Sequence, residues 1–384
     1  MRSRFKKLTS TITLALLLIS VLPLLASCGT DSDTRPGSPD RWLELLKILP
    51  RNEKTLKAAY FQDRAYMKET LLQYPQHTTP YPILHNLPLF GSSPGAYSDA
   101  EWKETLGFVK DNVDIMIYAG TIPLDYYEAV RGSFSREDIN NAVITGPMND
   151  MLEVYTYNGY EFYSWGEDNN INFQYRSNVR PLGRGHRLAL IDDFIFWVGT
   201  TGQMEEMIDS YAGDIESLAD NENYKLLAGA LAELDTVTAF FSTGPQSKGD
   251  FMEIHKDQLD QLKPEIKERL LGEIEEESLL KPYQALATGA GIDEKDFYLS
   301  IVLLNADEET ARQNKTLLEQ RIKRANIVWG SAEGKKWLDY IKSMEIENKG
   351  RFTTARLYGA VVEYWDGFEM LGSKGPYEPL LMHE

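Results

Sequence analysis

Residues 153–165, EVYTYNGYEFYSW, constrain the fold of this chain more than any other stretch. Asn158-Gly159 stands between two strand-like runs, and Asn-Gly suits a two-residue hairpin turn in which both central φ angles are positive. A turn there pairs Tyr157 with Tyr160, Tyr155 with Phe162 and Glu153 with Ser164 on one face. Val154 with Tyr163, and Leu152 with Trp165, fall on the other. Both faces are largely apolar, so the hairpin is expected to be covered on both sides. RLALIDDFIFWVGT (187–200) repeats the pattern around Asp192-Asp193. Strands that are apolar on both faces occupy the middle of a sheet. An antiparallel sheet of at least four strands follows.

Other elements are read from periodicity and end signals. Ser38-Pro39-Asp40 opens a helix that Pro50 closes. Residues 55–63 read as a strand, 64–74 as a helix, 75–99 as an irregular connection rich in Pro, Gly and Ser, and 114–120 as a buried strand. Ser135 caps a helix to Val143, and a helix over 203–211 ends at Gly213. A helix over 224–234, a strand over 237–242 and a charged helical region over 251–280 follow. Then come a strand over 297–305, a helix over 308–324 and a hairpin near Asn348-Lys349-Gly350. The fold class is α+β, in two lobes (40–235 and 236–384), each a mainly antiparallel sheet with packed helices. Strand-then-helix order in 55–74 and again in 297–324 suggests a diverged internal duplication.

The start of the chain has a different character. Arg2, Arg4, Lys6 and Lys7 precede an apolar run, Ile12–Leu25, and no acid occurs before Asp31. A basic start, a short apolar centre and small residues describe an export signal, too short to span a bilayer. The run ends Leu25-Ala26-Ser27-Cys28, which resembles the lipobox of bacterial lipoproteins. The resemblance implies a signal peptide over 1–27, cleaved before Cys28, and acylation of Cys28 by fatty acids such as palmitate. Each buried methylene adds about 0.8 kcal/mol of membrane affinity, so two chains anchor where one is marginal. Residues 28–39 lack large apolar side chains and are expected to be a flexible tether. Gly29 is not the Asp that retains many lipoproteins in an inner membrane, which favours an outer location. GSFSREDINNAV and ALIDDFIFWVGT resemble an uncharacterised family of bacterial envelope proteins with repeated α+β lobes. That resemblance implies architecture and cell-envelope localisation, and no catalytic residues come with it.

Composition narrows the partners. The net charge is −18, and removal of residues 1–27 makes the chain more acidic, since all four of their charged side chains are basic. Nucleic acid is therefore not an expected partner. Direct adsorption to anionic headgroups is not expected either, leaving the lipid at Cys28 as the membrane contact. Cys28 is the single cysteine, so no disulfide is available and the core must be sufficient without one.

Candidate binding residues are few. Tyr163 and Trp165 read either as core or as an exposed aromatic surface for a sugar ring or a protein partner. Arg180, Arg184, His186 and Arg187 form the densest basic stretch, either a strand-entry turn or an anion site. Catalytic and metal motifs read poorly. GSSPG (91–95) matches a nucleophile elbow at Ser93, yet the next residue is Pro94, which has no N–H for an oxyanion. GAGID (289–293) and GRGH (183–186) lack the third glycine of a phosphate loop and read as turns. Asp168, Asn170 and Asn172 begin like a calcium loop, but Phe173 and Val179 stand where Gly and Glu are required. Acid pairs such as Glu205-Glu206 and Glu308-Glu309 read as helix starts or solvated faces. No metal site and no cofactor are expected. The expectation is an exported, lipid-anchored envelope protein that binds or scaffolds rather than catalyses. The alternatives are a carbohydrate- or peptidoglycan-binding module and a carboxylate-based hydrolase.

Overall fold

Both hairpins form with the expected pairs. The computed structural model describes residues 38–73, 98–121, 125–147, 149–176, 183–244, 247–249, 252, 260, 263–275, 279–326, 335–339, 341–359 and 379–384. The signal peptide with Cys28, nearly all of the tether, and most of the 75–99 connection with Ser93 lie outside the described residues.

The described strands are β1 (Ala59–Asp63), β2 (Val113–Thr121), β3 (Asp125–Gly132), β4 (Leu152–Tyr157), β5 (Tyr160–Trp165), β6 (His186–Ile191) and β7 (Phe194–Val198), followed by β8 (Thr238–Ser242), β9 (Tyr283–Ile292), β10 (Phe297–Asn305), β11 (Ile341–Lys349) and β12 (Phe352–Gly359). They form one antiparallel sheet in the order β11-β12-β10-β9-β8-β1-β2-β3-β7-β6-β5-β4. The sheet runs unbroken past residues 235 and 236, because β8 pairs with β1. Outward from that pair the strand orders match, β1-β2-β3-β7-β6 on one side and β8-β9-β10-β12-β11 on the other. The hairpin β4–β5 is added at one end.

Helices cover both faces. On one lie α1 (Pro39–Leu46), α6 (Thr201–Ala212) and α7 (Glu222–Ala232), which bury Trp42, Met207 and Leu227 against Phe61, Phe196 and Phe241. On the other lie α4 (Asp99–Leu106), α5 (Arg136–Thr145) and α9 (Glu308–Arg324), which bury Trp102, Ile139 and Leu318 in a cluster with Tyr118, Trp197, Leu299 and Leu303. Three further α-helices are α2 (Glu53–Lys57), α3 (Arg64–Gln73) and α8 (Pro264–Glu275). Ser38, Ser135 and Asp307 cap α1, α5 and α9 by accepting from the Arg41, Asp138 and Thr310 N–H groups.

Some readings are corrected. The segment read as a strand over 55–63 starts as helix α2, because Asn52 and Thr55 form a reciprocal capping box, and only Ala59–Asp63 is strand. The glycines of GAGID lie within β9 rather than in a turn. A Cβ at Gly289 would sit 2.4 Å from the Thr238 carbonyl oxygen, and one at Gly291 would sit 2.3 Å from the Tyr298 ring. His383, in a segment with no strong pattern, forms bridges with Ser247 and Leu280, while Leu380, Leu381 and Met382 are buried beside it.

A buried amide network fastens α9 to the sheet. Asn314 on α9 donates to Asn305 Oδ1 (2.7 Å) and to the Lys281 carbonyl (3.0 Å), and accepts from the Lys281 N–H (2.7 Å). Asn305 in turn donates to Thr353 Oγ1 and the Arg351 carbonyl.

The hairpin turn itself is testable. Asn158 and Gly159 have φ of 47° and 80°, and nothing lies within 4 Å of a Cβ built at Gly159. Replacing Gly159 by Val therefore adds backbone strain without a clash. The expected loss is about 1–2 kcal/mol in denaturant unfolding, and an unchanged midpoint would show that this turn does not restrain the fold.

Candidate functional site

The four sequence-derived binding residues are brought together at the β4 end of the sheet, but in the interior. Tyr163 and Trp165 are on β5, His186 on β6 pairs with Trp165, and Arg184 forms a bridge with Ile171 just before β6. All four are buried. Of the two readings of Tyr163 and Trp165, core holds and the exposed aromatic surface does not: both side chains belong to the buried cluster that includes Ile139 of α5. Tyr163 donates its hydroxyl to Asn140 Oδ1 on α5 (3.1 Å). Trp165 packs 6.0 Å from Trp197 between ring centres, and His186 packs 4.7 Å from Trp197. The Trp197 indole N–H donates to the Tyr126 hydroxyl (3.2 Å), whose ionisation burial disfavours. These rings form an aromatic wall under the last strands.

The basic stretch is a strand entry, turned inward at its described members, Arg184, His186 and Arg187. Arg187 pairs with Asp168, donates to Thr201 Oγ1 (3.1 Å) and to the carbonyl of His186 (3.2 Å), and burial lowers its pKa. Arg184 donates to Asn169 (2.8 Å). The loop before β6 closes over these guanidinium groups because Gly183 and Gly185 permit close approach. A Cβ at Gly183 would meet the Asn172 carbonyl oxygen at 1.8 Å. The calcium-like triplet does not converge on a cation either. Asp168 accepts from Arg187 and from the Thr201 N–H at the start of α6 (2.9 Å), Asn172 accepts from the Gln174 N–H, and Asn170 donates to Glu167. Among the described residues no group of three or more His, Cys, Asp or Glu side chains could hold a metal ion.

What the same end of the sheet leaves in solvent is β4. Its partner β5 is covered from Phe162 to Trp165, whereas Val154 is 54% exposed and Tyr155 41%. The expectation that both strands of this hairpin are covered on both sides is corrected, because β4 is the terminal strand and is exposed from Glu153 to Thr156.

β4 is nonetheless held firmly. Tyr155 stacks on Phe162 at 5.4 Å and 11°, and its hydroxyl donates to Glu153 (2.6 Å). At the turn, Tyr157 donates to Asp209 (2.9 Å) and Asn158 to Asp214 (2.6 Å), latching the hairpin onto α6 and the residues that follow it. Tyr157 and Tyr160 flank the two-residue turn and so exchange hydrogen bonds, and bonded and non-bonded pairs alternate from there. Tyr157, Tyr155 and Glu153 therefore direct their backbone N–H and C=O toward β5. Leu152, Val154 and Thr156 direct theirs outward, along the open edge.

The two edges of the sheet differ in protection. β11 carries Lys342, Glu345, Glu347 and Lys349, charges of the kind that discourage strand addition. β4, LEVYTY, carries only Glu153 and has neither Lys nor Pro. The pairs read from the sequence of this hairpin are the observed ones, but the expected cover fails on β4. The full strand order makes both β11 and β4 edges, and the charge contrast between them marks β4 as the edge open to strand addition.

No family model matches the chain, and no curated protein matches it. Among solved structures the chain is similar to TP0453 in crystal form III, with TM-score 0.39 and 9% identity over 83% of this chain and 95% of that one. It is similar also to TP0453 in crystal form I, with TM-score 0.39 and 10% identity over 85% of this chain and 96% of that one.

Proposed function

We propose that the chain is an exported, lipid-anchored protein of the bacterial envelope that acts by binding or scaffolding, with the β4 edge as its contact surface. The observation that carries the contact surface is the firmly held strand whose outward backbone groups at Leu152, Val154 and Thr156 meet no other described strand. Such a strand recognises another extended segment through its main chain, with side-chain pockets secondary. The anchor rests on the basic start, the short apolar run and Leu25-Ala26-Ser27-Cys28. Among the described residues no helix is long and apolar enough to cross a membrane. The matched strand orders on either side of the β1–β8 pair support reading the two halves as a diverged duplication.

Two experiments test this reading. Cells grown with a clickable fatty acid are expected to label the protein, and Cys28→Ala to abolish the label; label retained on the variant would refute the anchor. Pull-down of the full chain from detergent-solubilised envelope is expected to retain a protein that Thr156→Pro loses. Thr156 makes no hydrogen bond to β5, so proline there removes an outward N–H while leaving the β4–β5 ladder intact. Equal recovery with both chains would remove β4 from the contact.

A further inference from the structure

We infer that β4 pairs with β4 of a second copy of this chain, antiparallel across a two-fold axis at Val154. The inference rests on the reading of β4 as the contact surface and names the occupant of that edge. Its register follows from the outward groups. An antiparallel ladder needs outward residues of one strand opposite outward residues of the other, and on β4 these are Leu152, Val154 and Thr156. Centring the axis on Val154 sets Val154 against itself, Leu152 against Thr156 of the second copy, and Thr156 against Leu152. Three bonded pairs give about six main-chain hydrogen bonds. Centring it on Tyr155 leaves two bonded pairs, centring it on Glu153 leaves two and sets Glu153 against itself, and centring it on Leu152 or Thr156 leaves one.

The side chains are self-complementary in that register, which also has the most bonded pairs. Glu153, the one charge on the strand, comes to stand opposite Tyr155 of the second copy, and Tyr155 opposite its Glu153. The hydroxyl–carboxylate pair already made within one strand (2.6 Å) thus has an equivalent partner across the axis. No acid faces an acid, which matters for a chain of net charge −18. On the opposite face Leu152, Val154 and Thr156 make a continuous strip in which Val154, more than half exposed in the single chain, packs against its own counterpart. A two-fold contact of this kind closes on itself, giving a dimer rather than a fibre.

Single-cysteine cross-linking in intact cells tests both the occupant and the register. Cys28 is kept, and the chain without an added cysteine gives the background. Val154→Cys brings two thiols together on Cα atoms about 5.5 Å apart, inside disulfide range. Thr156→Cys leaves its own pair about 14 Å apart, since four residues of strand separate them. Mild oxidation is expected to yield at least about tenfold more dimer from Val154→Cys than from Thr156→Cys. The double variant Leu152→Cys/Thr156→Cys is expected to cross-link as well as Val154→Cys. Thr156→Pro added to Val154→Cys is expected to abolish the dimer, with a melting curve that shows the fold intact. Cross-linking of Val154→Cys to a different protein would overturn the second copy as occupant while leaving β4 as a binding edge. A Val154→Cys chain that gives no dimer would overturn the second copy as occupant, and a pull-down in which Thr156→Pro loses nothing would overturn β4 as a binding edge as well. Equal dimer from Val154→Cys and Thr156→Cys would overturn the register.

Discussion

Replacing Trp197 by Ala is expected to lower stability by about 3–5 kcal/mol, the range for removing a large ring from a packed interior. Trp197 is fully buried on β7, with Trp165 and His186 packed against it and the Tyr126 hydroxyl accepting from its indole N–H. Alanine opens a cavity in the aromatic wall and leaves a buried hydroxyl without that donor, and each loss adds to the other. Trp197→Phe retains most of the ring volume, so it is expected to cost less than half as much. Denaturant unfolding of the three chains checks this, and a midpoint shared by Ala and wild type would mean that the wall does not support the end of the sheet. The effect also reaches the candidate surface, because β4 is held through β5, whose Trp165 rests on Trp197.

Asn314→Ala is expected to cost about 2–4 kcal/mol for a different reason. The deleted amide leaves Asn305 Oδ1 short of a partner in the interior, where an unsatisfied group costs about 1–3 kcal/mol, and takes a partner from the half-buried backbone N–H and C=O of Lys281, which cost less. Asn314→Leu fills the volume without restoring any bond, so it is expected to be no more stable than the Ala variant. In a double-mutant cycle with Asn305→Ala the two losses are expected to be strongly non-additive, because they break the same network. Additive losses would show that the two amides act separately.

The pairing of the hairpins was legible because turn residues and alternation are local. Asn158-Gly159 and Asp192-Asp193 determine their neighbours, and the pairs read from them are the observed ones. Helix starts were legible for the same reason, from Ser38 and Ser135. Which strand ends the sheet is not local. β4 and β5 have similar composition, and only the order of the whole sheet decides that β5 is covered and β4 is left at the edge. The basic stretch was left between a strand-entry turn and an anion site for the same reason: only the fold shows Asp168 brought over Arg187 from nineteen residues upstream. Gly289 and Gly291 resembled turn glycines until the close approach of Thr238 and the Tyr298 ring supplied another reason for them. The Asn305–Asn314 network had no sequence signal at all, since two asparagines nine residues apart carry no periodicity.

The account depends on β4 being a formed strand with one side of its backbone open, and hydrogen exchange reads this residue by residue. In the dilute, detergent-solubilised full chain, the amides of Leu152, Val154 and Thr156 are expected to exchange quickly. Those of Glu153, Tyr155 and Tyr157 are expected to be protected by β5, giving a two-residue alternation along the strand. Uniform protection would mean that something already covers the edge in the single chain. Uniform fast exchange would mean that the strand is not formed, and either result contradicts the account.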